Sequence, residues 1–174
     1  NPLYDWDAMK AEKYQWWINR IKRIYELTDV LRIDHFRGFE AYRSVPAGEE
    51  TAINGKWVKG PGIDLFKAIK KKLGDIPVIA EDLGVITDEV KKLRDDCNFP
   101  GMKVLQFAFS PDEVREHGMT NYFQPHMFDT SNCVMYTGTH DNDTLQGWLE
   151  NCNEEQSLLV AQYIEGKALS AEKV

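Results

Sequence analysis

Three acids in this chain each follow an apolar run. Asp34 closes Val30-Leu31-Arg32-Ile33, Glu81 closes Ile76-Pro77-Val78-Ile79-Ala80, and Asp141 follows Cys133-Val134-Met135-Tyr136 after a short polar link. Two of them have a histidine beside them, His35 and His140. Apolar runs that end in acids are hard to explain by packing alone, because a buried charge is costly unless it is paired or used. The bland alternative for any single acid is a helix cap or a solvent-facing loop charge. Asp141 is the most cap-like, since a helix is expected from about Asn142, and Asp82 and Asp143 read as supporting or capping residues. Used together, carboxylates in a cleft point to glycosidic chemistry. One attacks the sugar C1 as nucleophile, and a second protonates the leaving oxygen and later acts as base. Arg32 stands two residues before Asp34, so on a strand both would face the same side, with the guanidinium placed to pair with the carboxylate.

Metal binding is the rival use of such acids. Asp141-Asn142-Asp143 resembles the start of a calcium loop, but the sixth position holds Gln146 where an EF-hand needs glycine. His35, His117, His126 and His140 show no zinc-ligand spacing. No glycine-rich phosphate loop follows a strand, and Gly60-Pro61-Gly62 reads as a turn. These patterns give no strong signal for a metal or an organic cofactor.

The acids need a scaffold. Tyr14, Trp17, Ile18, Ile21, Ile24 and Tyr25 recur at helical spacing, which predicts one amphipathic helix over about Trp6 to Thr28. A strand is predicted at Val30–Asp34, then a long turn-rich loop from Arg37 to Gly62 that holds Trp57. Helices are predicted over Ile63–Leu73, stopped by Gly74, and over Asp88–Cys97, capped by Thr87. Ile76–Ala80, Met102–Phe109 and Cys133–Tyr136 read as buried strands, because apolar runs without alternation fit parallel sheets. Ser110–Ser131 reads as a second long loop. Helices follow from Asn142 and from Glu154 to Ile164, the last ending near Gly166. Strands alternating with helices predict an α/β fold with a parallel sheet, either doubly wound or a (β/α)8 barrel. In both, ligand sites lie at the carboxyl ends of strands, where these acids fall. Four strands make about half of a barrel.

Composition narrows the function classes. With 174 residues and a formal charge of −7, one domain is expected, and a nucleic-acid binder, which needs a basic face, is not. Lys70-Lys71-Lys72 is the tightest basic cluster and suits a solvated helix end. No apolar run reaches membrane-span length, so no membrane partner is expected. Cys97, Cys133 and Cys152 form neither a disulfide framework nor a zinc site, which fits a cytoplasmic location. The chain opens on Asn1-Pro2-Leu3-Tyr4 without a methionine, as a segment of something longer would.

Arg-Ile-Asp-His-Phe-Arg-Gly-Phe (32–39), Ala-Glu-Asp-Leu-Gly (80–84) and Thr-His-Asp-Asn-Asp-Thr (139–144), in this order, resemble the catalytic signatures of the 4-α-glucanotransferases, glycoside hydrolase family 77 of the α-amylase clan. The segments 1–6, 57–62 and 100–107 are similar as well. The resemblance implies a (β/α)8 barrel, of which this chain would be a partial catalytic domain, residues 1–174, carrying strands four to seven with their helices. It implies Asp34 as nucleophile, Glu81 as general acid/base, and Asp141 as the carboxylate that holds the sugar hydroxyls and stabilises the transition state. It also implies that Arg32 positions the nucleophile and that His35 and His140 contact the sugar. The expected substrates are α-1,4-glucans, transferred with retention through a covalent glucosyl-enzyme and without a cofactor. Trp57 is a candidate sugar platform, and Gln124-Pro125-His126 a further acceptor-side candidate. An open half barrel leaves sheet edges unpaired, which a homo-oligomer would close. Other readings of the same residues are a glucan-binding module without turnover, a hydrolase of the same clan, and a metal-dependent half-barrel domain.

Overall fold

The computed structural model describes residues 3–165 of the chain; Asn1, Pro2 and Gly166, on which parts of the sequence reading fall, lie outside them. The described chain is α/β and forms two compact units, one within residues 1–101 and one within 102–174.

The first unit opens with two helices where the sequence pattern predicts one. Helix α1 (Trp6–Ala11) is capped by Asp5, whose side chain accepts from the Ala8 N–H at 3.0 Å. Helix α2 spans Gln15–Tyr25 and buries Ile18 and Ile21. The break lies at Lys13 and Tyr14, both left-handed at φ 55° and 57°. No glycine or proline marks it. Tyr14 is buried, and its N–H reaches back to the Met9 carbonyl at 2.7 Å, so burial of this ring overrides the helical period.

Strand β1 (Leu31–Ile33) follows, then a 3-10 turn over Phe36–Phe39. The predicted loop 37–62 is not all loop. It contains a hairpin of β2 (Ala41–Ser44) against β3 (Lys56–Lys59), antiparallel, with Arg43 opposite Trp57. Every residue of β3 is exposed, so it lacks the half-buried alternation by which a strand is read. Arg43 fixes the hairpin loop by donating to the Ala52 and Ile53 carbonyls. At the exit of the hairpin, a Cβ on Gly60 would overlap the Phe39 carbonyl, so only glycine lets the two segments close.

Helix α3 (Ile63–Leu73) buries Leu65, Phe66 and Ile69, and Gly74 ends it with φ 80° and its N–H on the Lys70 carbonyl. Lys70, Lys71 and Lys72 form its last turn, where cations suit the helix dipole. Strand β4 (Val78–Ala80) pairs parallel with β1, Leu31 opposite Val78 and Ile33 opposite Ala80. Helix α4 (Asp88–Asp96) follows; Thr87 precedes it in extended backbone, but its side chain makes no cap bond. On the other side of β4, Ala80 donates to the Pro100 carbonyl at 2.9 Å. Phe36, Phe39, Phe66 and Phe99 interlock in the core, with centroids 5.4–6.2 Å apart.

The second unit holds the sheet of β5 (Gly101–Val104) and β6 (Cys133–Tyr136). The predicted strand 102–109 stops at Val104 and continues as a 3-10 helix over Leu105–Phe109. The predicted loop 110–131 carries helix α5 (Pro111–His117), which buries only Val114 and so leaves no periodic signal. Helices α6 (Leu145–Asn151) and α7 (Glu154–Ile164) complete the unit; Asn153 and Gln156 form a capping box on α7. Ala108, Phe109, Val114 and Leu159 are its core.

Candidate active site

The first unit brings four of the predicted site residues together at the ends of β1 and β4. Arg32 lies on β1 and Asp34 just beyond it; Arg32 Nη2 donates to Asp34 Oδ1 at 2.7 Å. The arginine side chain is 29% exposed and the aspartate 74%, so the pair is held from the protein side and open on the other. His35 follows in the left-handed region, φ 50° and ψ 50°. That conformation is uncommon for a residue with a Cβ and, next to a carboxylate cluster, is the kind of strain that fixes a site. It turns the His35 N–H onto Glu81 Oε2 at 2.6 Å. The imidazole lies over Gly38, whose missing Cβ would sit 3.1 Å from His35 Cδ2.

Glu81 ends β4. Its second oxygen, Oε1, accepts from the Leu83 N–H at 2.9 Å. Both carboxylate oxygens are therefore aimed by backbone donors. Each oxygen retains a lone pair for a proton or a ligand. Next to it, Asp82 is buried and accepts from Arg94 Nη1 at 2.5 Å; the arginine comes from α4 and also contacts Asp95. Gly101 leaves room for this pair, since a Cβ there would stand 2.5 Å from Asp82 Oδ2 and 2.9 Å from Arg94 Nη1. Asp82 thus supports the strand end, as its sequence position suggests. Arg94 carries no such signal, being one of several charges on an exposed-looking helix.

Trp57 lies on β3, 54% exposed, with the Arg37 guanidinium carbon 4.4 Å from its ring centroid. Arg37 also donates from Nη1 to the Val85 carbonyl. Its place in the 32–39 motif gave it no role in the sequence; the structure makes it the link from that motif to the hairpin.

In the second unit, His140 and Asp141 lie exposed in the turn after β6. His140 Nε2 stands 3.3 Å from Asp141 Oδ2, and the Asp141 N–H donates to Thr139 Oγ1 at 3.3 Å. Asn142 closes the turn, accepting from both the Thr139 N–H and its hydroxyl. Asp141 is not the cap of the next helix. Thr144 is, accepting from the Gly147 N–H at 3.1 Å, so α6 starts at Leu145 rather than Asn142. Asp143 accepts from the Thr144 N–H, and its carbonyl takes Gln106 Nε2. Gln124 is buried, and His126 Nδ1 lies 3.2 Å from the Tyr163 hydroxyl. Among the described residues, no group of three His, Cys, Asp or Glu side chains could hold a metal, and no helix is long and apolar enough to cross a membrane.

A family model described as 4-alpha-glucanotransferase matches residues 1–173. The chain belongs to the 4-alpha-glucanotransferase family. Similar family members include the 4-alpha-glucanotransferase of Streptococcus pneumoniae, 53% identical over 87% of this chain and 28% of that protein. The Synechocystis 4-alpha-glucanotransferase is 52% identical over 94% of the chain and 32% of its own length. Among solved structures, an amylomaltase from Streptococcus agalactiae in complex with acarbose superposes with a TM-score of 0.86 at 40% identity, over 98% of this chain and 33% of that one. The chain spans about a third of the length of these members of the 4-alpha-glucanotransferase family.

Proposed function

We propose that this chain is the catalytic segment of a 4-α-glucanotransferase, which moves 1,4-α-glucan segments between maltodextrins by a retaining double displacement. The observation that carries the reading is the pairing at the ends of β1 and β4. Asp34 is held by Arg32, and Glu81 is held by the N–H of the residue next to Asp34.

In this mechanism Asp34 attacks C1 of the donor glucan. The C1–O bond breaks, and Glu81 gives its proton to the leaving oxygen. The acceptor's 4-hydroxyl then yields its proton to Glu81 and attacks C1, which breaks the ester to Asp34. Two inversions retain the α configuration. Arg32 keeps the nucleophile oriented, and the backbone donors keep Glu81 oriented through both proton transfers. Asp141 binds the hydroxyls of the reacting sugar, with His35 and His140 as further sugar contacts and Trp57 as a platform on the acceptor side. Transfer over hydrolysis depends on an acceptor site that binds sugar and limits water. The reaction uses no metal and no organic cofactor.

In the same reading the two units form one partial (β/α)8 domain over residues 1–174, carrying barrel strands four to seven, and act in the cytoplasm. Incubation with maltotriose and separation of the products by length tests the function. Glucose together with maltopentaose and longer chains, lost in Asp34→Asn, is expected. Glucose and maltose alone would make the chain a hydrolase, and binding of maltotriose without product would make it a binding module.

A further inference from the structure

We propose that Arg37 is a positioning residue that fixes Trp57 as a one-faced platform for a glucosyl unit and ties it to the segment that follows Glu81. The inference rests on the glucan-binding reading given above and adds to it the residue that sets the platform's geometry.

Arg37 starts from a rigid base. It sits in the 3-10 turn directly after Asp34 and His35, between Phe36 and Phe39, which are 0% and 7% exposed. Its guanidinium then makes two contacts in different segments. One is with Trp57, whose ring it covers with its carbon 4.4 Å from the centroid, and the other is the Nη1 bond to the Val85 carbonyl, two residues beyond Leu83, whose N–H holds Glu81. Arg37 Nε is buried and makes no hydrogen bond. Buried donors without acceptors are rare, so Nε does not set this placement; the contact with Trp57 and the Nη1 bond to Val85 do. Only a planar fork can face a ring and donate in its own plane at once, which a lysine cannot.

This contact leaves Trp57 with one face on the guanidinium, yet the residue is 54% exposed. An exposed indole on a hairpin strand whose residues are all exposed would otherwise turn freely. Held by Arg37, it presents its second face in a fixed direction, so a pyranose that lays its C–H face there need not order the ring as it binds. The platform is thereby attached to the turn that carries the nucleophile.

The test is fluorine NMR of the chain labelled with fluorotryptophan, in which the five tryptophans give separate signals. Trp57→Phe assigns one of them. Arg37→Met is expected to move the Trp57 signal and leave the others in place. Titration with maltoheptaose is expected to move the Trp57 signal of the unsubstituted chain. Arg37→Met should weaken that binding about two- to fivefold, the range a single cation–π contact supports. Arg37→Lys, which keeps the charge and loses the fork, should resemble Arg37→Met, and it carries the test if Arg37→Met disturbs all five signals. An unmoved Trp57 signal in both Arg37 variants, or unchanged maltoheptaose affinity, would overturn the positioning role. Sugar-induced shifts at other tryptophans but not at Trp57 would overturn the platform while leaving the proposed function standing. No shift at any tryptophan, together with no product from maltotriose, would overturn both.

Discussion

Glu81 receives two backbone donors, from His35 and Leu83, and a carboxylate is the side chain that can accept both. Glu81→Gln keeps the volume but offers one oxygen and one NH2 group, so one N–H then faces another donor. Urea unfolding should show a loss of about 0.5–1.5 kcal/mol, the net contribution of one hydrogen bond that water can partly replace. An unchanged midpoint would mean that the two bonds do not hold the strand end. Cys97 gives a second prediction at this scale. Burial pushes its thiol up to about 12. Alkylation at pH 8 should therefore mark Cys133 well before Cys97, read by peptide mass spectrometry; early labelling of Cys97 would contradict its burial. The Arg32–Asp34 pair was legible from a two-residue spacing. The His35–Glu81 bond was not, because a backbone N–H has no sequence signature, and here it depends on a left-handed residue that is not glycine.

Strand β4 and helix α4 are joined by the buried pair of Asp82 and Arg94, and Gly101 is the residue that lets it form. Gly101→Ala would push a methyl into both partners. It should destabilise the chain by about 1–3 kcal/mol, as overpacking of a filled site does, measured by urea denaturation. Arg94→Met should cost more, about 3–5 kcal/mol, because it leaves the buried Asp82 without this partner. If Arg94→Met were the milder of the two, the pair would not be what anchors the end of β4. What the sequence revealed of the elements followed burial. β1, β4, α3 and α4 present apolar residues to one core, and their bounds are nearly all legible in the sequence. The β2–β3 hairpin leaves no sequence signal because β3 buries nothing, and α5 leaves none because it buries one residue. The break between α1 and α2 falls on Lys13 and Tyr14, ordinary residues whose left-handed backbone is imposed by tertiary packing.

At the scale of the whole molecule, the chain spans about a third of the members of the 4-alpha-glucanotransferase family it matches, and carries all three acids of the proposed mechanism. We propose that the partial barrel of this reading has strand edges that a second copy would cover. Sedimentation velocity is expected to show association that grows with protein concentration; a monomer throughout would remove the proposed homo-oligomer. The central claim is that Asp34 carries the glucosyl group and Glu81 the proton. An α-glucosyl fluoride tests it most directly, because fluoride leaves without acid assistance, so the first step survives in Glu81→Gln while the second lacks its base. Mass spectrometry of the Glu81→Gln chain incubated with that donor should find one glucosyl group, on the peptide that contains Asp34. A glucosyl group on another peptide, or an unmodified chain whose unsubstituted form still turns the donor over, would contradict the account.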